Sequence, residues 1–345
     1  MRVSRMLRRV IISTMKSLKT LVLVAICTVI SGHIYADTAT AYQWLERFAA
    51  TGNNVSYDGQ FVYLSGTQMK TFRMTRQVDR SNIRERLTQL GGARREWVRI
   101  GDHVASLEDG RLIESMNHVM PTHPLLLKDI DFKAALANHY QAVILSIDRV
   151  ADRNAQRINI IPNDALRFGY HLWFDQQTGL LLKATVVDQF GMPLEKFEFV
   201  SLVVGEGVNE KRFESVAVKI DKPQNVVKKP IIVTQNSQVW NPKWVPPGFR
   251  LVSDIKQTIN QKLLSVPRQV YSDGLFTFTV FFEPVSQAIL EQGVFRRGAA
   301  IAVSEQVSKQ SVKRWVTVVG EIPEKVALRV LRSMNISQSA VNQTP

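Results

Sequence analysis

The histidine and aspartate residues of this sequence include the candidates for catalysis or metal binding. His118 and His123 lie five residues apart, and Asp129 and Asp131 follow closely. Two such histidines could ligate a metal ion, and two carboxylates could act as a general acid and base. However, no second ligand cluster accompanies the histidines, and helix capping explains the aspartates more simply. We expect no metal site. His123, Asp129 and Asp131 would have a catalytic role only under the hypothesis that the protein is an enzyme.

The motifs of the common hydrolases and dinucleotide enzymes are missing. The sequence contains neither G-x-S-x-G nor H-E-x-x-H. Gly205-Glu206-Gly207 begins like a dinucleotide-binding loop, but Glu210 occupies the place of the third glycine and no βαβ unit surrounds it. We therefore predict a protein with no catalytic residues, no cofactor and no metal.

Two groups of basic residues are candidates for binding anions. Arg94 and Arg95 follow a glycine turn and precede Trp97. They form either a solvated loop or a site for a carboxylate or phosphate. Two further basic pairs occur near the C-terminus, and they indicate either a solvated face or a patch for an acidic peptide or an anionic lipid head group. These pairs are Arg296-Arg297 and Lys313-Arg314.

The elements that must position these residues are mainly strands. Residues 40–50 have the spacing of an amphipathic helix, and residues 170–204 predict a three-strand antiparallel meander with glycine-containing turns. Such a sheet needs its apolar face covered, so that face is either core or a ligand groove. The aromatic candidates for this groove are Phe61, Tyr63, Trp97, Trp173, Phe197 and Phe199.

A second unit is predicted after a polar, lysine- and proline-containing linker at residues 216–239. Residues 266–271 and 275–282 flank Ser272-Asp273-Gly274, a strong hairpin signal. Residues 299–303 and 315–319 are further predicted strands, and residues 323–334 predict a closing helix. The second unit therefore spans residues 240–336, and residues 337–345 form a tail.

The first 36 residues are typical of a secretory signal peptide. They contain six basic and no acidic residues, followed by the apolar run LVLVAICTVI and by Ala36. A run of ten residues is shorter than the roughly 20 that a spanning helix needs. Met15 begins a compact basic segment, so either Met1 or Met15 could be the true start. Cys27 is the single cysteine, and Ile26 before it disfavours a lipoprotein signal.

The net charge of +14 is unevenly distributed. Residues 37–205 contain 19 basic and 19 acidic side chains, whereas residues 240–345 contain 13 and 7. This asymmetry favours two units with different partners. Since the chain carries an export signal, we do not expect a nucleic acid to be one of them.

Five segments resemble the RseB/MucB family in order and spacing. They are GGARREWVRIGD, YHLWFDQQTGLLLKATVVD, WNPKWVPPGF, YSDGLFTFTVF and VTVVGEIPEKVA. The resemblance implies an α+β, β-rich chain with an unclosed, curved antiparallel sheet of the LolA/LolB type at residues 37–215. It also implies a smaller α+β domain that grips the periplasmic part of a membrane-bound anti-sigma factor of the RseA/MucA type.

The function implied by the resemblance is negative regulation of sigma-E-type signalling in the periplasm. The protein would shield the anti-sigma factor from site-1 proteolysis, and lipid or lipopolysaccharide would release it. A homodimer is a further expectation, and a periplasmic carrier of lipoproteins or lipids is the alternative. The expected partner-binding residues are Arg94, Arg95, Tyr271, Asp273, Phe276, Arg296, Arg297, Lys313 and Arg314.

Overall fold

Within the residues that the structure describes, the chain forms two large antiparallel sheets, each with one helix packed on it, and two small sheets of two and three strands. The computed structural model describes residues 37–51, 54–79, 82–101, 103–117, 136, 138–205, 208, 213, 231–232, 239–255, 258–260, 263–285, 291–309 and 312–337. Within this part of the chain, no helix is both long and apolar enough to cross a membrane. The predicted β-rich α+β fold, with an unclosed first sheet and a smaller second unit, is confirmed.

The first sheet has eleven strands in an open order. After helix α1 (Asp37–Thr51) the strands are β1 (Tyr57–Ser65), β2 (Gln68–Asp79), β3 (Asn82–Gln89), β4 (Arg95–Ile100), β5 (His103–Glu108), β6 (Arg111–Asn117), β7 (Tyr140–Val150), β8 (Arg153–Pro162), β9 (Gly169–Asp175), β10 (Leu181–Val187) and β11 (Pro193–Val204). Their spatial order is β6-β5-β4-β3-β2-β1-β11-β10-β9-β8-β7. Because β7 approaches β11 although three strands separate them in the sheet, the sheet is strongly curved.

Helix α1 covers the inner face of this curved sheet. Ala41, Leu45 and Phe48 lie on one side of the helix and are buried, as the amphipathic spacing predicts. The Phe48 ring lies 5.2 Å from that of Phe174 on β9. We use "inner face" below for the side of the sheet that carries Phe174.

The predicted meander is confirmed as β9, β10 and β11, and a buried carboxylate closes its first turn. Asp175 accepts hydrogen bonds from Arg153 Nε and Nη2 at 3.0 and 2.9 Å, and from the Thr178 amide and hydroxyl at 3.0 and 2.6 Å. Burial by itself would raise the pKa of Asp175, but the hydrogen bonds from Arg153 and Thr178 outweigh it and lower the pKa.

Asp175→Asn is expected to lower the free energy of unfolding at pH 7 by about 1.5–3 kcal/mol, the usual range for a hydrogen bond to a charged group. The folded-state pKa lies below the unfolded value of about 3.9, so this stabilisation is present above pH 4 and is lost as the pH falls through the folded pKa. Urea unfolding between pH 2.5 and 7 measures it. Asp79→Asn, at an exposed carboxylate, is the control. If the free energy of unfolding depended on pH in the same way for Asp175→Asn and the wild type, Asp175 would not be the source of this stabilisation.

The second sheet has six strands in the order β14-β17-β18-β21-β20-β19, and helix α2 packs on it. These elements are β14 (Arg250–Ile255), β17 (Arg268–Ser272), β18 (Thr277–Glu283), β19 (Gly293–Arg297), β20 (Ala300–Lys309), β21 (Val312–Gly320) and α2 (Glu324–Arg332). Five short strands form two small sheets: one contains β12 (Ile231–Ile232), β15 (Thr258–Asn260) and β16 (Leu263–Ser265), and the other contains β13 (Val239–Pro242) and β22 (Met334–Ser337). The predicted hairpin around Asp273 is thus formed by β17 and β18.

The closing helix ends earlier than its apolar spacing predicts. It stops at Arg332, and residues 334–337 form β22, which pairs with β13. Ser333 lies at this change of direction: its hydroxyl donates to the Val330 carbonyl at 2.8 Å and accepts a 3.2 Å hydrogen bond from the Trp244 amide. Met334 is buried as the first residue of the returning strand.

Several predicted segments lie outside the described residues. They are the signal segment 1–36, the segment with His123, Asp129 and Asp131, the tail beyond Ser337 and nearly all of the linker. Within that linker, Ile231 and Ile232 pair with β15, and Val239 begins β13. The proposed boundaries of the two units therefore stay predictions.

Candidate functional site

The two sheets meet through a buried ion pair, at a contact that we call the seam. Asp273 lies in the turn between β17 and β18 and Arg167 precedes β9; both side chains are fully buried, with 3.0 Å between Arg167 Nη1 and Asp273 Oδ2. The same oxygen accepts a 2.7 Å hydrogen bond from the Tyr140 hydroxyl. Because an isolated buried charge is costly, this pairing is what allows the guanidinium to be buried.

Arg167 also uses its other donors. Its Nε and Nη2 donate to Asp164 at 3.0 and 3.1 Å, and Nη2 donates to the Pro247 carbonyl at 2.6 Å. Burial alone would lower the pKa of Arg167, but its hydrogen bonds to Asp164 and the nearby negative charges raise it. The cation thus holds residues of both units in one hydrogen-bonded group.

The hairpin turn that carries Asp273 is itself fixed by this carboxylate. Oδ1 accepts hydrogen bonds from the amides of Leu275 and Phe276 at 3.0 and 2.9 Å. The turn thereby presents the Phe276 ring to Tyr170 of the first sheet, with parallel rings 4.8 Å apart. Phe168 contacts the same ring edge-on at 6.0 Å.

A second carboxylate of the seam also joins the two sheets. Glu195 on β11 accepts hydrogen bonds from the Tyr63 hydroxyl at 2.5 Å and from Ser65 Oγ and the Ala299 amide at 3.1 Å. Gly298, which precedes Ala299, has a φ of +59°. A side chain at Gly298 would collide with Ser65 and Glu195, so the turn between β19 and β20 requires glycine for this close approach.

The seam occupies two of the residues that the sequence assigned to partner binding, and a third is buried beside them in the second sheet. Asp273 and Phe276 make the contacts described above. Tyr271 is also buried: its ring stacks on Phe278 at 5.0 Å, and its hydroxyl donates to Gln269 at 3.0 Å. In this arrangement all three side chains are engaged within the chain, and a role in gripping a partner stays a prediction.

Five of the six aromatic groove candidates share the inner face of the first sheet. Strand register places Phe61 opposite Phe199, Tyr63 opposite Phe197 and Trp97 opposite Leu87. Phe61 contacts Phe197 and Phe199 at ring distances of 4.8 and 5.7 Å, so these three rings form a packed cluster. They belong to the core of the sheet as it stands.

Trp173 lies on the opposite face. It alternates with Leu172 and Phe174 along β9 and is paired across the sheet with Arg157 and Lys183. The cationic groups of these two residues lie 5.0 and 4.5 Å from the ring centroid, close enough for cation–π attraction. Because side chains alternate between the two faces along a strand, Trp173 does not share the inner face with the other five aromatic candidates.

The basic residues that the sequence predicts for partner binding lie apart from one another in the structure. Arg94 pairs with Glu96 at 2.5 Å, and Arg95 pairs with Glu108 at 3.2 Å. The two C-terminal pairs lie near opposite ends of β20, since Arg297 pairs with Ala300 and Lys313 with Ser308. At about 3.3 Å per residue this separation is roughly 26 Å, so these pairs form two patches and not one.

Sequence reasoning missed the residues that build the seam from the first unit: Tyr140, Arg167 and Glu195. No local pattern distinguishes them from surface polar residues, and only their burial between the sheets reveals their role. Among the described residues, no group of three or more His, Cys, Asp or Glu side chains could hold a metal ion.

Comparison with known proteins places this architecture in a family. Residues 40–217 match the model of the MucB/RseB N-terminal domain, and residues 234–335 match that of the C-terminal domain. The chain is 30% identical over 305 residues to the sigma factor AlgU regulatory protein MucB of Pseudomonas aeruginosa, covering 88% of this chain and 93% of that protein. It is 25% identical over 301 residues to the sigma-E factor regulatory protein RseB of Haemophilus influenzae, covering 87% and 92%.

Solved structures agree with these matches over both units. The complex of Pseudomonas aeruginosa MucA and MucB contains a chain that superposes with a TM-score of 0.69 at 29% identity, covering 87% of this chain and 100% of that chain. MucB in complex with MucA(peri) gives a TM-score of 0.66 at 28% identity, with the same coverage. From the two family models and from these likenesses over 87–88% of its length, we conclude that the chain belongs to the MucB/RseB family.

Proposed function

We propose that this chain is a periplasmic negative regulator of sigma-E-type signalling. It binds the periplasmic domain of a membrane-bound, RseA/MucA-like anti-sigma factor, shields that domain from site-1 proteolysis and is released by lipid or lipopolysaccharide. The observation that carries the proposal is the likeness, over the whole length of that chain, to MucB solved with MucA(peri). The unit boundaries proposed are 37–215 and 240–336, and the role proposed is binding without catalysis.

The first test is direct binding. The purified chain without residues 1–36 is titrated with the cognate periplasmic anti-sigma domain in a calorimeter, and protease protection of that domain is measured in parallel. We expect saturable binding and slower cleavage of the bound domain. No interaction at tens of micromolar would overturn the proposal.

The second test addresses the two basic patches separately. Lys313 and Arg314 make no ion pair within the described residues, so we expect Lys313→Glu/Arg314→Glu to weaken partner binding about three- to tenfold at low ionic strength and to flatten its salt dependence. Arg296→Glu/Arg297→Glu is measured alongside it. Arg111→Glu/Arg149→Glu, in the first unit, changes the net charge equally. If that control weakens binding as much, the effect comes from net charge and not from the patches.

A periplasmic carrier of lipoproteins or lipids is the second candidate. The observation that favours it is the curved inner face with its aromatic cluster. A carrier would move fluorescent lipid or lipoprotein between donor and acceptor vesicles without the anti-sigma domain, and transfer at the rate of spontaneous exchange would exclude that role.

A further inference from the structure

In the described part of the chain, the two large sheets have four edge strands, and β19 is the one without a β-bulge. The edge strands β6, β7 and β14 each show a register shift against their neighbour, whereas β19 pairs with β20 in unbroken register. Proteins commonly protect an edge strand with bulges or prolines, because its free amides and carbonyls can pair with another chain. β19 also contains no proline.

The exposed side chains of β19 fit a partner strand. Val294 and Phe295 are 44% and 45% exposed, and Arg296 and Arg297 are exposed as well. Strand alternation places Phe295 and Arg297 on one face and Val294 and Arg296 on the other, where Arg296 pairs with Glu324 of α2 at 3.0 Å. Arg297 has no ion-pair partner within the described part of the chain.

The backbone of β19 can receive hydrogen bonds from outside. The two-residue turn Gly298-Ala299 closes on Arg297 and Ala300, a pair that exchanges two hydrogen bonds in such hairpins. Alternation along the ladder then directs the amides of Val294 and Arg296 to the free edge. Because Gly298 also contacts the first sheet beside Ser65 and Glu195, the free edge begins at the seam.

We propose that β19 binds an extended, acidic segment of the anti-sigma partner as an added strand. The segment would place a carboxylate beside Arg297 and an apolar side chain beside Phe295 on the same face, two residues apart. Charge selects this occupant over a second copy of the chain, because pairing two β19 strands brings four arginines into one short ladder. The inference rests on the proposed function and adds to it where and how the partner docks.

Val294→Pro tests the inference, because it removes an outward amide at an edge position that tolerates proline. We expect it to weaken binding of the periplasmic anti-sigma domain about tenfold or more, with far-ultraviolet circular dichroism and the melting temperature unchanged. Val294→Ala should cost no more than about threefold. Val252→Pro, on the bulged and exposed edge strand β14, should leave binding within about twofold, since the lost amide lies away from the docking edge.

Amide hydrogen exchange on the wild-type chain gives an independent result. Binding of the anti-sigma domain should slow exchange at Val294 and Arg296. A folded Val294→Pro that binds normally, or unchanged exchange at these amides in the complex, would overturn the inference while leaving the proposed function intact. Loss of self-association in Val294→Pro, with partner binding retained, would assign the edge to a second copy instead and also overturn it. Absence of binding by the wild type contradicts the proposed function itself.

Discussion

Asp273→Ala is expected to lower the free energy of unfolding by about 3–5 kcal/mol, the cost typical of removing one partner from a buried ion pair. The Arg167 guanidinium stays fully buried in this variant but loses a charged acceptor 3.0 Å away. The variant also removes the acceptor for the amides of Leu275 and Phe276, which fixes the hairpin turn at the seam. Asp273 therefore stabilises both the turn and the contact between the sheets.

Equilibrium unfolding in urea, followed by tryptophan fluorescence and by circular dichroism, measures this effect. We expect the transition of Asp273→Ala to move to lower urea concentration and to separate into two steps, because the seam no longer couples the two units. Glu108→Ala, which removes the exposed ion pair with Arg95, should change stability by less than about 1 kcal/mol. A loss below about 1 kcal/mol for Asp273→Ala would show that the buried pair does not stabilise the seam.

Phe197→Ala is expected to destabilise the lipid-free protein by about 3–5 kcal/mol, as truncation of a packed aromatic side chain does. Phe197 is 1% exposed, and its ring lies 4.8 Å from Phe61 and 5.1 Å from Phe199. If these rings form core, the variant loses stability without any ligand present. If they instead line an open groove, truncation changes stability little and changes amphiphile binding.

Urea unfolding and binding of a fluorescent fatty acid together separate these outcomes. Phe190→Ala is the matched control, since Phe190 lies in the turn before the same strand and is 79% exposed; we expect a change within about 0.5 kcal/mol. Unchanged stability in Phe197→Ala together with lost fatty-acid binding would show that the aromatic cluster is a ligand site and not core.

Local patterns in the sequence predicted the meander of the first sheet, the hairpin of the second and both helices. The glycine-containing turns fixed the meander β9–β11, and Ser272-Asp273-Gly274 marked the β17–β18 hairpin. The apolar spacing of residues 40–50 matched α1, although the same reasoning extended α2 two residues too far. These predictions succeed because turn conformation and strand or helix period are encoded within a few neighbouring residues.

The site was less predictable, and particular residues show why. Trp173 and Phe197 look alike as aromatic residues of a meander, but strand register puts them on opposite faces. Arg296-Arg297 and Lys313-Arg314 look like one patch in the sequence, but β20 holds them apart. Asp273 looks like an exposed turn residue, yet it is the buried partner of Arg167.

The sequence alone determined that the chain is β-rich, that its charge divides into a neutral and a basic unit, and that its ordered segments resemble the RseB/MucB family. Only the tertiary structure decided which polar residues join the two sheets and which of the described edge strands has no bulge. The physical reason is separation along the chain. Arg167 and Asp273 are 106 residues apart in sequence, and their burial depends on which two distant surfaces meet. Desolvation of that pair is a property of the docked sheets, and no local pattern encodes it.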